Sequence, residues 1–384
     1  MSEELFNSGE KEQYARHFSI KNFGIEGQKR LKIGKVLVVG AGGLGCPALM
    51  YLVAAGVGTI GIVEYDRIEK SNLHRQLLFN HEDIGLFKGA AAKEKLRTNN
   101  PHVKIEHFNT SLSEANVLDY VVQYDIVVDA TDNFTAKYLL NDACFIKGKP
   151  LVYASISQFE GQIAVFNLSD GKGNYSSNPR DIFPEPPPVG ISQNCGEAGV
   201  LGVLPGIIGS MQALEAIKIL ARCGTPLANK LILFDALNMD MRKVSIRRRK
   251  NNSLSGESPS ITAPLAIKTT CVLNTGLEQH AISPQELELI LQSNKPIQLI
   301  DVRDTHEHQL SSLGGLNIPF HLLNAEGLHY LKGIETIIYC KSGVRSLKAL
   351  NAIQSTIGEG SCRSLDGGLD AYIAAGCQER LIIN

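Results

Sequence analysis

The stretch Val36-Leu-Val-Val-Gly-Ala-Gly-Gly-Leu-Gly45 decides the fold of this 384-residue chain. Its first four residues, apolar and mostly β-branched, read as a buried parallel strand. Gly40, Gly42, Gly43 and Gly45 then turn the chain into a helix predicted to begin near Leu44. A turn without Cβ atoms lets the backbone approach an anion. The helix N-terminus behind it offers unpaired N–H groups and the positive end of its dipole. The stretch therefore predicts a phosphate cradle. The spacing G-x-G-x-x-G alone equally describes a glycine turn that only packs strand against helix, so the neighbouring residues have to decide.

Residues 59–64 read as a second strand, and Glu64 ends it 19 residues beyond Gly45, where a carboxylate can bond a ribose hydroxyl. Asp66 points the same way if the strand continues. The next stretch departs from an ordinary dinucleotide binder. Ser71-Asn-Leu-His-Arg-Gln76 is polar and cationic, and Lys88 opens a helix predicted over residues 88–99. Hydride transfer has no use for Asn72, Arg75 and Lys88 here. A triphosphate does, because its charge must be neutralised by forks and point charges. Residues 103–108 and 125–129 read as further strands, and the second runs into Ala130-Thr-Asp-Asn133. In a parallel sheet the strand C-termini line the ligand crevice, which places Asp129 and Asp132 where a magnesium–phosphate group would lie. Asp132 also suits an N-cap for a helix over residues 134–146.

Composition excludes several classes. The chain is 43% hydrophobic and 20% charged with a net charge of −1, so it lacks the basic footprint of a nucleic-acid binder. The N-terminus carries no secretion signal, and no run of about 18 uninterrupted apolar residues suggests a membrane span, so a cytoplasmic protein is expected. Eight cysteines occur without a C-x-x-C pair, which predicts individual thiols and no zinc site. Residues 169–194, rich in Gly, Asn, Ser and Pro, form a long connection that is either mobile or wrapped on the surface. It ends at Cys195, a candidate nucleophile in Cys195-Gly-Glu-Ala-Gly199. Helix 206–220 and strands 230–234 and 240–246 close this half.

Residues 249–281, polar and opening on a basic run, read as a flexible linker between residues 1–248 and 282–384. A second α/β pattern begins with the capping signature Ser283-Pro-Gln-Glu286. A strand over 296–302 ends Ile300-Asp-Val-Arg303. Another, over 336–339, delivers Cys340 into Cys340-Lys-Ser-Gly-Val-Arg345, followed by a helix over 346–357. At such a strand-to-helix turn, loop N–H groups and the helix dipole converge on the sulfur. With Arg345 adding positive charge, they favour a thiolate or persulfide anion. His306 and His308 read as surface loop.

These pieces resemble two families. Tyr14-Ala-Arg-His17, Gly40-Ala-Gly-Gly-Leu-Gly45, Ser71-Asn-Leu-His-Arg-Gln76, Thr131-Asp-Asn133 and Cys195-Gly-Glu-Ala-Gly199 resemble the ThiF/MoeB family of ubiquitin-activating-like adenylyltransferases, over about residues 10–248. Asp301-Val-Arg303, the Cys340 loop and Leu365-Asp-Gly-Gly368 resemble a single rhodanese domain, over about residues 282–380. The expected fold is a Rossmann-like doubly wound sheet plus a smaller rhodanese-like α/β domain. The resemblance implies Mg-ATP and the adenylylation of the C-terminal Gly-Gly of a ubiquitin-like sulfur carrier of the ThiS or MoaD kind. A persulfide on Cys340, charged by a separate sulfur donor, would then give a thiocarboxylate for thiamine, molybdenum cofactor or tRNA thiolation. By position, Gly40, Gly42 and Gly43 would approach the phosphates and Glu64 and Asp66 would serve the ribose end. Ser71, Asn72, Arg75 and Lys88 would bind the triphosphate, and Asp132 would hold magnesium with Asn133 nearby. Arg16 would reach into the other subunit of a homodimer, and Cys195 would capture the activated carboxyl or pass sulfur. Many members hold a structural zinc on two C-x-x-C pairs. Here these would fall near Asn174-Tyr-Ser-Ser177 and after Arg249, where cysteine is missing, so no zinc and a weaker hold on the 169–194 loop are expected. A catalytically silent scaffold that binds a ubiquitin-like partner, and an NAD-dependent oxidoreductase, stand as alternatives.

Overall fold

The computed structural model describes residues 5–185, 199–264, 280–293, 295–323, 328, 331, 333–357, 362–377 and 382–383, and every structural statement below concerns these. They fall into two compact units, divided between residues 264 and 280.

The first unit opens with α1 (Ser8–Gln13), α2 (Ala15–Phe18) and α3 (Gly24–Ile33). It continues with β1 (Lys35–Val39), α4 (Gly45–Ala54), β2 (Thr59–Val63), α5 (Lys88–Asn99), β3 (Lys104–Phe108), α6 (Val117–Val121), β4 (Ile126–Asp129) and α7 (Phe134–Ile146). It closes with β5 (Leu151–Ser157), β6 (Glu160–Phe166), α8 (Pro179–Ile182), α9 (Val203–Ala221), β7 (Lys230–Asp235) and β8 (Asp240–Ser245). The sheet runs β3-β2-β1-β4-β5-β6-β7-β8, parallel from β3 to β5 and antiparallel beyond. Both faces of β1 are buried by period-two alternation. Val36 and Val38 join the core beneath α4 and α9, while Leu37 and Val39 join the one beneath α7. The chain winds outward from β1 to β3, then returns to place β4 on the other side of β1. That reversal opens a crevice beyond the C-termini of β1 and β4.

Helix α9 is long and apolar enough to cross a membrane by length and composition, though Ser210, Gln212, Glu215 and Lys218 keep it from being an unbroken apolar run. It carries Glu215 and Lys218 and packs along α4 and α3, where Leu204, Ile208 and Ala216 are core residues.

The linker expectation is corrected for residues 249–264. Asn252, 2% exposed, donates through Nδ2 to Asp181 Oδ1 (2.7 Å) and Asn178 Oδ1 (3.1 Å). Asn178 Nδ2 donates to Ser255 Oγ (2.8 Å), and the Arg249 amide donates to Asp181 Oδ1 (2.8 Å). Arg180 forms a two-pronged, buried pair with Asp142 of α7 (2.8 and 2.7 Å). Residues 176–182 are therefore firmly held, not loosely, because polar side chains spaced N-x-x-D and N-x-x-S close on one another. Residues 265–279 and 186–198 lie outside the described residues.

In the second unit β9 (Ala281–Ile282), α10 (Pro284–Gln292), β10 (Ile297–Asp301), α11 (Thr305–Leu310), β11 (Ser311–Ser312) and β12 (Leu316–Asn317) precede β13 (Glu335–Tyr339). Then come α12 (Val344–Ile357), β14 (Cys362–Leu365), α13 (Gly368–Ala374) and β15 (Ile382–Ile383). Its main sheet is parallel in the order β12-β10-β13-β14-β9. Cys340 stands just past the end of the central strand β13.

Asn252→Ala removes the donor that joins Asn178 to Asp181, and is expected to destabilise the first unit by about 1–3 kcal/mol. Chemical denaturation and limited proteolysis between residues 249 and 264 check this. An unchanged midpoint with unchanged cleavage would remove the clip from the fold.

Candidate nucleotide site and sulfur-bearing loop

The glycine turn after β1 is built by contact. Gly40 has φ +98°, and a Cβ there would lie 2.7 Å from the Ala130 carbonyl oxygen. At Gly45 a Cβ would lie 2.0 Å from the Gly40 carbonyl oxygen. Both positions demand glycine, which pins the turn against the start of the β4–α7 connection. Gly42 differs. An added Cβ there would meet only Gln76 Nε2, at 3.7 Å, so packing does not demand glycine. Open space remains over the amino end of α4. Gln76 beside it is buried, and its Oε1 has no hydrogen-bond partner. A buried acceptor without a donor fits a ligand that brings one.

Glu64 is placed differently from the ribose-binding expectation. Its Oε1 accepts the Tyr65 and Asp66 amides (both 2.8 Å), and its Oε2 accepts the Ala41 amide (2.8 Å). One methylene longer than aspartate, it folds back onto the glycine turn and ties β2 to it. Most of its acceptor capacity is used by backbone. Asp66 instead lies open and pairs with Lys88 (3.0 Å). Partial burial, then the carboxylates of Asp66, Glu64 and Asp132, raise the Tyr65 phenol above its ordinary value, so all three lie within electrostatic reach of one ring.

The 71–76 segment forms a tight turn. Asn72, buried, accepts the Glu69 amide through Oδ1 (3.1 Å), and Ser71 Oγ donates to Glu69 Oε2 (3.1 Å). Both expected triphosphate ligands thus also hold the turn. Arg75 makes no ion pair; its guanidinium donates to the Ser71 carbonyl (3.0 Å) and lies 2.7 Å from His74 Nε2. Its charge has no ionic partner among the described residues.

Asp129 is corrected. It is wholly buried, and Thr131 donates to its Oδ1 through amide (3.0 Å) and hydroxyl (2.6 Å). Lys137, unnoticed in the sequence, donates to its Oδ2 (3.1 Å) and to the Ala154 carbonyl (2.6 Å). Burial pulls the Lys137 ammonium down, but Asp129, Tyr153 and Asp132 more than offset this and hold it above its ordinary value. No sequence spacing advertises a pair formed between a strand end and the second turn of a helix. Asp129 is therefore unavailable to a metal. Asp132 is exposed and makes no hydrogen bond or ion pair among the described residues. The cap of α7 falls to Asn133, whose Oδ1 accepts the Ala136 amide (2.9 Å), and this leaves Asp132 unspent. Arg16 is exposed on α2. Cys195 lies outside the described residues.

In the second unit Cys340 is buried, and its Sγ accepts the Ser346 amide at 3.4 Å with Ser346 Oγ at 3.6 Å. Ser364 Oγ in turn donates to Ser346 Oγ (2.8 Å). Arg345 does not stand free beside the sulfur. It forms a two-pronged pair with Glu307 (2.7 and 2.8 Å), so its charge is largely neutralised. Asp301 and Arg303 pair in the interior (2.6 Å), and Arg303 also donates to the Ser311 carbonyl (2.6 Å). His308 is no loop residue: it sits on α11 with Nδ1 2.8 Å from Asp301 Oδ2.

A doubly wound sheet with a glycine-turn cradle, joined in one chain to a parallel-sheet domain with a cysteine at a strand-end loop, defines a class. It is the nucleotide-dependent activating enzyme that carries its own sulfurtransferase domain. The chain belongs to the ThiF family, matched over residues 14–255, and carries a rhodanese-like domain over residues 283–375. It is 41% identical over 368 residues to the probable adenylyltransferase/sulfurtransferase MoeZ of Mycobacterium tuberculosis, covering 94% of this chain and 92% of that protein. To the sulfur carrier protein adenylyltransferase of Thermus thermophilus it is 48% identical over 251 residues, covering 65% of this chain and 93% of that one. The fold also matches a crystal structure of E. coli MccB with ATP (TM-score 0.53, 21% identity), covering 67% of this chain and 76% of that one. The protein is an enzyme with adenylyltransferase and sulfurtransferase activities, and it uses ATP.

Burial pushes the Glu307 carboxyl up, but the Arg345 bond and charge and the Asp304 amide outweigh it and hold it below 4.5. A depressed folded value means this pair stabilises the fold above the ordinary carboxylate range and is lost as pH falls through the folded value. Glu307→Gln should therefore flatten the acid-range fall in the second unit's stability below pH 4.5, with little change at lower pH still. Unfolding midpoints measured across that range check it; curves of identical slope would refute it.

Proposed function

We propose that the first unit adenylylates the C-terminal Gly-Gly carboxylate of a ubiquitin-like sulfur carrier, and that the second supplies sulfur from a persulfide on Cys340. One observation carries this reading: charges of both signs gather where the strand order reverses, Arg75 and Asp132 without an ionic partner among the described residues and Lys88 with only the open Asp66. Arg75 and Lys88 suit a triphosphate, and Asp132 is the one carboxylate of this turn not consumed by the fold. Magnesium needs one or two carboxylates plus substrate phosphates, and Asp132 would hold it. The ion would supply charge neutralisation to the departing pyrophosphate.

A carboxylate is a poor electrophile. Its oxygen forms a bond to the α-phosphorus of ATP, the bond from that phosphorus to the bridging oxygen breaks, and pyrophosphate leaves. The resulting acyl-adenylate has AMP as a good leaving group. Arg75 and Lys88 would hold the phosphates and oppose the charge that gathers on pyrophosphate, so positioning and electrostatics do most of the catalysis. Cys195 is the thiol we assign to capture of the activated carboxyl or to passage of sulfur. Fusion to the Cys340 domain raises the effective concentration of sulfur donor near the adenylate.

A protein substrate suits the surface at this end of the sheet. Phe159, Leu201, Leu237, Met239 and Met241 are exposed on backbone segments that hydrogen-bond one another at the β5–β6 and β7–β8 turns. Homodimer formation is supported by Met50, Tyr51, Val203 and Leu214, large apolar side chains left exposed on the neighbouring helices α4 and α9, and by the unpaired, exposed Arg16. The described cysteines are free thiols, which suits the reducing cytoplasm.

Pyrophosphate exchange into ATP should require a carrier ending in Gly-Gly, and Arg75→Glu should lower it by about 100-fold or more. No carrier-dependent exchange, as a silent scaffold or an oxidoreductase would give, contradicts the reading. Separately, Cys340→Ala should abolish transfer of sulfur from thiosulfate to cyanide while leaving exchange intact; retained transfer would exclude Cys340 as the sulfur carrier.

A further inference from the structure

Among the described residues Asp132 has no hydrogen bond or ion pair of its own, so its position depends on the backbone at either side. On the N-terminal side, Thr131 is bound through its amide and hydroxyl to Asp129 Oδ1. On the C-terminal side, Asn133 caps α7. Lys137, one turn into α7, joins the two sides. Its Nζ lies 3.1 Å from Asp129 Oδ2 and 2.6 Å from the Ala154 carbonyl on β5. From the opposite side Gln212 of α9 donates through Nε2 to the main-chain carbonyls of Asp129 (2.7 Å) and Val152 (3.1 Å). The same turn touches the cradle, since Ala130 stacks against Gly40.

The Lys137 side chain is only 7% exposed, and both of its polar partners lie inside the protein. Burying an ion pair is costly, and well-packed apolar side chains of similar volume often hold a fold as well or better. Stability alone is therefore a weak account of the pair, and its place between the Asp132 turn, α7 and β5 points to a geometric role. We infer that Lys137 is a positioning residue for adenylation: by bridging Asp129 to α7 and β5, it fixes the turn that presents Asp132 to the cation of the bound nucleotide. This rests on Asp132 being the residue that holds that cation.

Lys137→Met alone strands the Asp129 carboxylate without a counter-charge and is expected to unfold. The decisive variant is Asp129→Asn/Lys137→Met, which removes both charges. Should it fail to fold, Asp129→Asn/Lys137→Gln also removes both charges while keeping an acceptor for Thr131 and a donor for the Ala154 carbonyl. Thermal unfolding identifies the folded variants. Mn2+ binding in the presence of β,γ-imido-ATP, followed by electron paramagnetic resonance, then reads the site without turnover. Loss of the pair should weaken Mn2+ by about tenfold or more, the size seen when groups supporting a metal ligand are removed. The metal concentration that half-activates pyrophosphate exchange should rise by the same factor, while exchange at saturating metal and the KM for the carrier stay near wild type. Lys137→Arg should restore wild-type Mn2+ affinity. A folded variant without the pair that binds Mn2+ as wild type does overturns the positioning role, provided that Asp132→Asn weakens binding. If Asp132→Asn itself leaves Mn2+ affinity unchanged, the metal-holding role of Asp132 falls and the positioning role falls with it.

Discussion

Two main-chain segments meet where Gly40 lies against the Ala130 carbonyl, and the first unit is organised by that contact. A side chain at residue 40 would sit 2.7 Å from the oxygen, inside the separation real Cβ atoms keep. Only a glycine lets the turn after β1 touch the turn after β4. Because they touch, the amino end of α4 and the Asp132 segment share one crevice, and whatever binds the first is within reach of the second. The reversal of strand order supplies the opening, and the missing Cβ supplies the closeness.

Around this contact, charges divide into two groups. Glu64, Asp129 with Lys137, and Asp142 with Arg180 are buried and satisfied by backbone or by each other. They fix geometry, and most of their bonding capacity is used within the protein. Among the described residues Arg75 and Asp132 lack an ionic partner, and Lys88 has only the open carboxylate of Asp66. The two groups differ in kind: a rigid frame whose charges cancel, and residues whose charges do not. Removing one partner from a buried pair costs about 3–5 kcal/mol, so the frame cannot easily lend its charges to the second group.

The sulfur-bearing loop follows the same economy. Arg345 faces Glu307 and is neutralised there, so the field at Cys340 is set mainly by what touches the sulfur: the Ser346 amide and a hydroxyl steadied by Ser364. The loop is held by the Arg345–Glu307 pair, and the sulfur itself is met by hydrogen-bonding groups. Polar clips also replace other means of fixing loops. Asn178, Asp181, Asn252 and Ser255 close residues 176–182 onto residues 249–255 with hydrogen bonds alone.

Sequence by itself determined the architecture. The alternation in β1, the glycines after it and the strand-to-helix turn at Cys340 are local patterns, and local patterns obey the two- and 3.6-residue periods of the backbone. It also marked Arg75, Lys88 and Asp132 as candidates for one charged site, because the turn after β2, the start of α5 and the β4–α7 connection follow elements that the topology sets side by side. Only the tertiary structure decided which carboxylate is spent and which is open. Asp129 and Asp132 are three residues apart and look alike in the sequence. One meets Lys137 in the interior and the other meets solvent. Glu64 reads as a ribose ligand until its extra methylene is seen to reach the Ala41 amide. The reason is physical: a charge's role depends on its partner, and partners such as Lys137, Glu307 and Asn252 arrive from other elements, where no local spacing announces them.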